Sequence, residues 1–154
     1  MLILAIVLNI LTIAYHQLTT ILDLYPFNNV RDSTPKERRK EAVTSGIIMV
    51  VPLVLLILAV FFGWRWLAYV SGGFSIFIFM GALLTWWPPY LVGKSVPWAA
   101  LGEDWDELYS RTFGKTIIIL PPFKGRPRPN LEHNILHLLI LIAGVATIWY
   151  ASLR

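Results

Sequence analysis

Residues 34–66 read TPKERRKEAVTSGIIMVVPLVLLILAVFFGWRW, and this stretch decides the fold class. Thr34-Pro35-Lys36-Glu37 has the pattern of a helix start: a capping threonine, a proline at the first helical position and a glutamate three residues after the cap. The charged run KERRKE, residues 36–41, then gives way at Ala42 to a segment with no Asp, Glu, Lys or Arg as far as Trp64. About 20 apolar residues rising 1.5 Å each cross a hydrocarbon core of about 30 Å. The segment therefore predicts a membrane-spanning helix that begins in a charged collar. Pro52 lies near its middle, where the loss of one backbone hydrogen bond predicts a kink.

Three more stretches are equally free of charge: Met1 to Leu22, Trp66 to Gly93 and His133 to Leu153. Backbone groups in lipid must be paired within their own segment, which favours helices. The apolar runs also lack the alternation of barrel strands. The sequence predicts an all-α, integral membrane four-helix bundle in a single domain, with spans at about 2–22, 43–63, 67–87 and 131–152. Composition agrees, since 56% of the 154 residues are hydrophobic and only 14% are charged, against about 25% charged in soluble domains. The first span lacks the basic start and small-residue cleavage pattern of a secretory signal and is expected to be retained.

Charge is divided unevenly between the two ends of these spans. Loops 23–42 and 94–130 hold Arg31, Lys36, Arg38, Arg39, Lys40, Lys94, Arg111, Lys115, Lys124, Arg126 and Arg128, leaving only Arg65 and Arg154 at the other end. The excess of Lys and Arg in loops next to spans predicts that both long loops are cytoplasmic and both termini outside, as in a bacterial inner (cell) membrane protein. Aromatic residues fit the two interfaces, with Trp64, Trp66, Tyr69, Trp149 and Tyr150 outside and Trp86, Trp87, Tyr90, Tyr15 and Tyr25 inside. The basic residues flank spans, so anionic lipid headgroups on the cytoplasmic side are the expected partners, and nucleic acid is not.

The third span carries Ser71, Gly72, Gly73, Ser75, Gly81 and Ala82, small residues that allow close helix packing within the bundle or against a second subunit. Trp86-Trp87-Pro88-Pro89-Tyr90 is expected to end it. In the long loop, Leu101, Trp105, Leu108, Tyr109 and Phe113 recur at helical spacing beside Glu103, Asp104, Asp106 and Glu107. This pattern predicts an amphipathic interfacial helix between the third and fourth spans, its acidic face meeting the KERRKE collar or a basic partner. The segment IIILPPFKGRPRPN that follows is expected to be extended and semi-rigid.

The chain has no cysteine, which excludes thiol chemistry and with it the four-helix, quinone-linked thiol oxidases. No Asp, Glu, Lys or Arg lies near the centre of a span, so active transport by this chain alone is not expected. The three histidines are the informative polar residues. His133 and His137 lie one turn apart at the start of the fourth span, at about the depth of His16 in the first. Asn9, His16 and Asp23, with Thr20, form a polar stripe on the first span. If the first and fourth spans are neighbours, His16, His133 and His137 with Glu132 or Asp23 would make a transition-metal or haem site. Imidazoles that hydrogen-bond between helices are the simpler outcome. Lys124, Arg126 and Arg128 precede Asn130, an expected helix cap, and could hold a lipid phosphate at the start of the fourth span. Ordinary positive-inside charge is the simpler explanation.

In length, span number and external termini the chain resembles the membrane-associated glutathione-metabolism enzymes, with KERRKEAVTSG where their basic loop falls. The long loop before the fourth span is foreign to that pattern, and no residue role is carried over. The expected function is that of a non-catalytic accessory, assembly or interaction subunit of a larger membrane complex or of a homo-oligomer. The alternative is a membrane-embedded metal- or haem-binding protein, or a lipid-modifying enzyme, with its site at the cytoplasmic interface.

Overall fold

The computed structural model describes residues 1–96 and 104–153. The chain is all-helical, and no strand occurs among the described residues. Four helices are long and apolar enough to cross a membrane: α1 (Leu2–Ile21), α2 (Pro35–Phe62), α3 (Arg65–Leu91) and α5 (Leu131–Ser152). A short helix, α4 (Trp105–Arg111), lies in the long loop. α1 packs on α2 and α5, and α3 packs on α2 and α5, which makes a square up-and-down bundle.

Local chemistry sets most helix ends. α2 starts at the expected place, with the Thr34 hydroxyl accepting from the Glu37 amide and the Glu37 carboxylate accepting from the Thr34 amide. It stops at Gly63, which adopts the left-handed conformation (φ 70°) that only glycine enters at no steric cost. The next helix begins two residues later, so α2 and α3 must run antiparallel. α5 is capped by Asn130, whose Oδ1 accepts from the His133 amide at 3.1 Å. At the far end Arg65 Nε donates to the Ala151 carbonyl at 2.9 Å, tying the start of α3 to the last turn of α5.

Pro88 and Pro89 do not end α3, contrary to the sequence expectation. The helix runs through both to Leu91. Two consecutive prolines forfeit two backbone donors, but each keeps a helical φ, and their carbonyls are used: Val92 and Gly93 donate to Pro88, and Gly93 also to Pro89. Within α2, Pro52 is retained, and Ser71 of α3 donates to its carbonyl at 2.7 Å.

The small residues of α3 divide between two faces. Ser71, Gly72 and Ser75 are buried, and Gly72 meets Gly144 of α5 so closely that a methyl group at Gly72 would lie 2.5 Å from Ile148 Cγ1 and 3.0 Å from the Gly144 carbonyl. Gly73 and Gly81 face open space. Three expected interface aromatics are also core residues, since Trp86 and Tyr150 are each only 6% exposed and Tyr90 8%.

The crossing predicts a sharp contrast. Gly72→Leu should lower stability by about 1–3 kcal/mol, the usual cost of overpacking, while Gly73→Leu should change it little. Thermal or denaturant unfolding of both variants in detergent checks this.

Candidate functional site

α1 turns Asn9, Thr12, His16 and Thr19 toward the bundle interior, a spacing that keeps one face of a helix. Asn9 Nδ2 donates to the Ala5 carbonyl at 2.8 Å and to Thr147 Oγ1 of α5 at 3.2 Å. The first and fourth spans are therefore neighbours, and the polar stripe does face inward. Its last expected member does not belong to it. A strict seven-residue repeat drifts by about 20° per heptad on a straight helix, and α1 stops at Ile21. Asp23 lies beyond that end, exposed, bonded to Arg31 at 2.7 Å. Thr12 and Thr19 take its place inside.

His16 is buried, its Nε2 3.4 Å from Glu41 Oε1 on α2. His137 is buried one turn after His133, the two rings 6.4 Å apart. His133 Nδ1 lies 2.7 Å from Asn130 Oδ1 and 3.8 Å from Glu132 Oε2. Glu132 is buried, with Thr19 and Asn130 beside its carboxyl group and the Tyr15 hydroxyl donating to its backbone carbonyl at 2.9 Å. Three imidazoles and two carboxylates from α1, α2 and α5 thus gather at the loop end of the bundle.

Among the described residues, no group of three His, Cys, Asp or Glu side chains is placed to hold a metal ion. The imidazoles are committed to different neighbours: His16 to Glu41, and His133 to Asn130 and the Trp86 ring, 4.0 Å away. His16 and His137 each keep a buried Nδ1 without a hydrogen-bond partner. Glu41 escaped the sequence expectations because it closes the charged run KERRKE. The signal that could have found it is depth, since it is the last charge before the apolar run and lies about as far into α2 as His16 lies from the end of α1.

The long loop covers this cluster. Trp86 is the centre of an aromatic group formed with Trp105 (4.9 Å), Phe113 (5.0 Å) and His133. α4 therefore turns its aromatic face onto the bundle end. Leu101 and Glu103 of the expected amphipathic helix lie outside the described residues. Asp104 is the cap of α4, its Oδ1 accepting from the Asp106 and Glu107 amides at 2.9 and 3.1 Å. The charges between loop and collar are the reverse of those expected: Arg111 Nη2 binds Glu37 at 2.6 Å, and Lys115 binds Asp32 at 2.8 Å.

The three basic residues before Asn130 do not share one target. Arg126 Nη1 donates to the Leu91 carbonyl at the end of α3, Arg128 Nη1 donates to the Leu120 carbonyl at 3.0 Å, and the Lys124 ammonium lies over the Phe123 ring. Each guanidinium gives one N–H to a backbone oxygen, which ties the proline-rich segment to the bundle. No family model, curated protein or solved structure matches the chain. The likeness in length and span number to glutathione-metabolism enzymes accordingly assigns no family.

Bonding to Arg31 and to Lys115 holds the Asp23 and Asp32 carboxyls, respectively, below the usual carboxylate range. Depressed values stabilise the folded loops above the unfolded pKa of about 3.9, and this is lost as pH falls through the lower folded values. Amide hydrogen exchange in residues 23–32 and 111–116 should therefore be pH-independent in protection above about pH 4 and accelerate below it. Asp32→Asn should show part of that acceleration at every pH.

Proposed function

We propose that this protein is an integral membrane protein that works through the buried His–Glu cluster, binding or modifying a hydrophobic or amphiphilic ligand reached from the loop-side interface. The observation that carries this function is the pair of unpartnered, buried Nδ1 atoms on His16 and His137. Each unsatisfied buried polar atom costs about 1–3 kcal/mol, and ionisable groups inside a membrane bundle persist where function needs them. In the tautomer that donates Nε2–H to the Glu41 carboxylate, His16 Nδ1 carries a lone pair. The complementary ligand is therefore a hydrogen-bond donor, such as the hydroxyl of an amphiphile's headgroup. The Lys and Arg excess in both loops supports a cytoplasmic position for this end of the bundle, with the termini outside.

A second function, that of an accessory or assembly subunit, draws on the outward faces of α2 and α3. Phe61 and Phe77 are 79% and 72% exposed there. Such faces suit lipid as well as a partner helix, and they leave the buried cluster without a role.

Native mass spectrometry of protein extracted gently from its own membranes separates the two. The first function expects a small-molecule adduct that His16→Ala and His137→Ala each reduce about tenfold or more, equivalent to about 1.4 kcal/mol. Metal analysis and an absorption spectrum of the same sample identify a transition metal or haem if one is the adduct. A wild-type protein free of adducts that copurifies one-to-one with another membrane protein would overturn the first function and establish the second.

A further inference from the structure

The end of the bundle that carries the loops also holds a cleft of about 850 Å³ that shares no residue with the His–Glu cluster. Small-molecule sites commonly enclose about 300–1,000 Å³. Three segments build it: Gly93, Lys94 and Ser95 after α3, one face of α4 with Asp106, Tyr109 and Ser110, and the turn at 125–127. Of the three basic residues before Asn130 only Arg126 lines it, and its companion there is Lys94.

Local contacts fix the walls. Arg126 Nη1 donates to the Leu91 carbonyl, and its guanidinium lies 5.2 Å from the centre of the Phe123 ring. Gly93, at φ 79°, makes room for it, since a methyl group there would lie 2.8 Å from Arg126 Nε. Tyr109 stands on Gly114, where a methyl group would lie 3.2 Å from its ring, and its hydroxyl accepts from the Arg128 amide at 2.9 Å. These walls carry two cations, one carboxylate and the Ser95 and Ser110 hydroxyls. None of the ion pairs among the described residues engages Lys94, Asp106 or Arg126.

An apolar stripe leads away from the cleft. Phe77, Met80, Leu84 and Leu91 are exposed on α3 at spacings that keep one helix face. The stripe reaches the cleft at Leu91, the residue whose carbonyl Arg126 binds. From Phe77 to Leu91 is about 21 Å at 1.5 Å per residue, more than the half-thickness of about 15 Å that the chains of one leaflet fill.

We infer that the cleft is a headgroup site for a phospholipid of the ethanolamine class, with its phosphate against Lys94 and Arg126, its ammonium against Asp106 and an acyl chain along the α3 stripe. Guanidinium and ammonium donors suit a phosphate, and the cleft begins two residues past the end of α3, where a span enters the headgroup layer. The Asp106 carboxylate offers only acceptors. A purely anionic headgroup meets repulsion there, and a trimethylated choline has no N–H to give. An ethanolamine headgroup supplies both the anion and the donor. The inference takes α3 as a membrane span, as the proposed function does, and is independent of the His–Glu cluster.

The test titrates the purified full-length protein in detergent with ethanolamine, choline and glycerol phospholipids of identical chains, reading binding by native mass spectrometry. The ethanolamine lipid should bind about tenfold or more tighter than the choline lipid, the effect of one charge-assisted hydrogen bond. Lys94→Ala should weaken it by a similar factor; Lys94 is exposed and supports no wall, so this loss reports the site and not the fold. Arg126→Ala should do the same, with Arg126→Lys restoring part of the binding. Asp106→Asn should bring the ethanolamine lipid down to the choline level and leave the choline lipid unchanged. Equal wild-type affinity for the ethanolamine and choline lipids, tighter binding of the glycerol lipid, or unchanged binding in Lys94→Ala would each overturn the site. Glycerophosphoethanolamine carries the headgroup without chains; equally tight binding of it would overturn a lipid as the occupant in favour of a free phosphate ester. Loss of the lipid in His16→Ala but not in Lys94→Ala would overturn the cleft in favour of the cluster. Release of the chain from its own membranes by alkaline washing would overturn the spanning helices and this site with them, whereas a missing adduct at the His–Glu cluster would leave the lipid ranking intact.

Discussion

Every polar group inside an apolar bundle must find its partner within the protein, because hydrocarbon offers none. That requirement organises this molecule from end to end. Asn9 answers it with Ala5 and Thr147, Ser71 with Pro52, and Arg65 with Ala151. Asn28 does the same for the end of α1, donating to Thr19 and Leu22 and accepting from the Leu24 amide. These bonds join residues on different helices or at helix ends, so they set the order in which the spans pack as well as satisfying individual atoms.

The same requirement explains the basic residues of the long loop. Arg126 and Arg128 donate to the carbonyls of Leu91 and Leu120, and Arg111 reaches both the Asp32 carbonyl and the Glu37 carboxylate. A stretch with no regular structure is thereby held against the bundle. Its aromatic residues complete the arrangement around Trp86, whose ring joins α3 to α4 and to the first turn of α5. Edge-to-face aromatic pairs contribute about 0.5–1.5 kcal/mol each beyond the area they bury. The described part of the loop, from α4 onward, covers the His–Glu cluster.

Where the requirement is left unmet, function has its opening. The interior near the termini is filled by alanine, leucine and tyrosine, whereas the loop end holds imidazoles with free nitrogens and two carboxylates. A fold that needed only to anchor itself would place apolar residues at His16, Glu132 and His137. Burying them costs stability that the rest of the bundle must supply, and it gathers imidazoles and carboxylates at one end of the fold.

Composition and short-range chemistry by themselves determined the four apolar helices, the cap at Thr34, the cap at Asn130 and the turn at Gly63. Each depends on residues within a few positions of one another, so each is legible in the chain. His16, His133, His137 and Glu132 were legible as a group because matching depths in antiparallel helices bring them to one level. Glu41 was not, nor was the core position of Trp86, nor the bonds from Arg126 and Arg128 to backbone oxygens. Those depend on how separate segments meet, such as His16 with Glu41, 25 positions apart, and Arg126 with Leu91, 35 positions apart. Only the packed bundle decides which side of a helix meets a neighbour, and therefore which charge stays in water and which must find a partner inside.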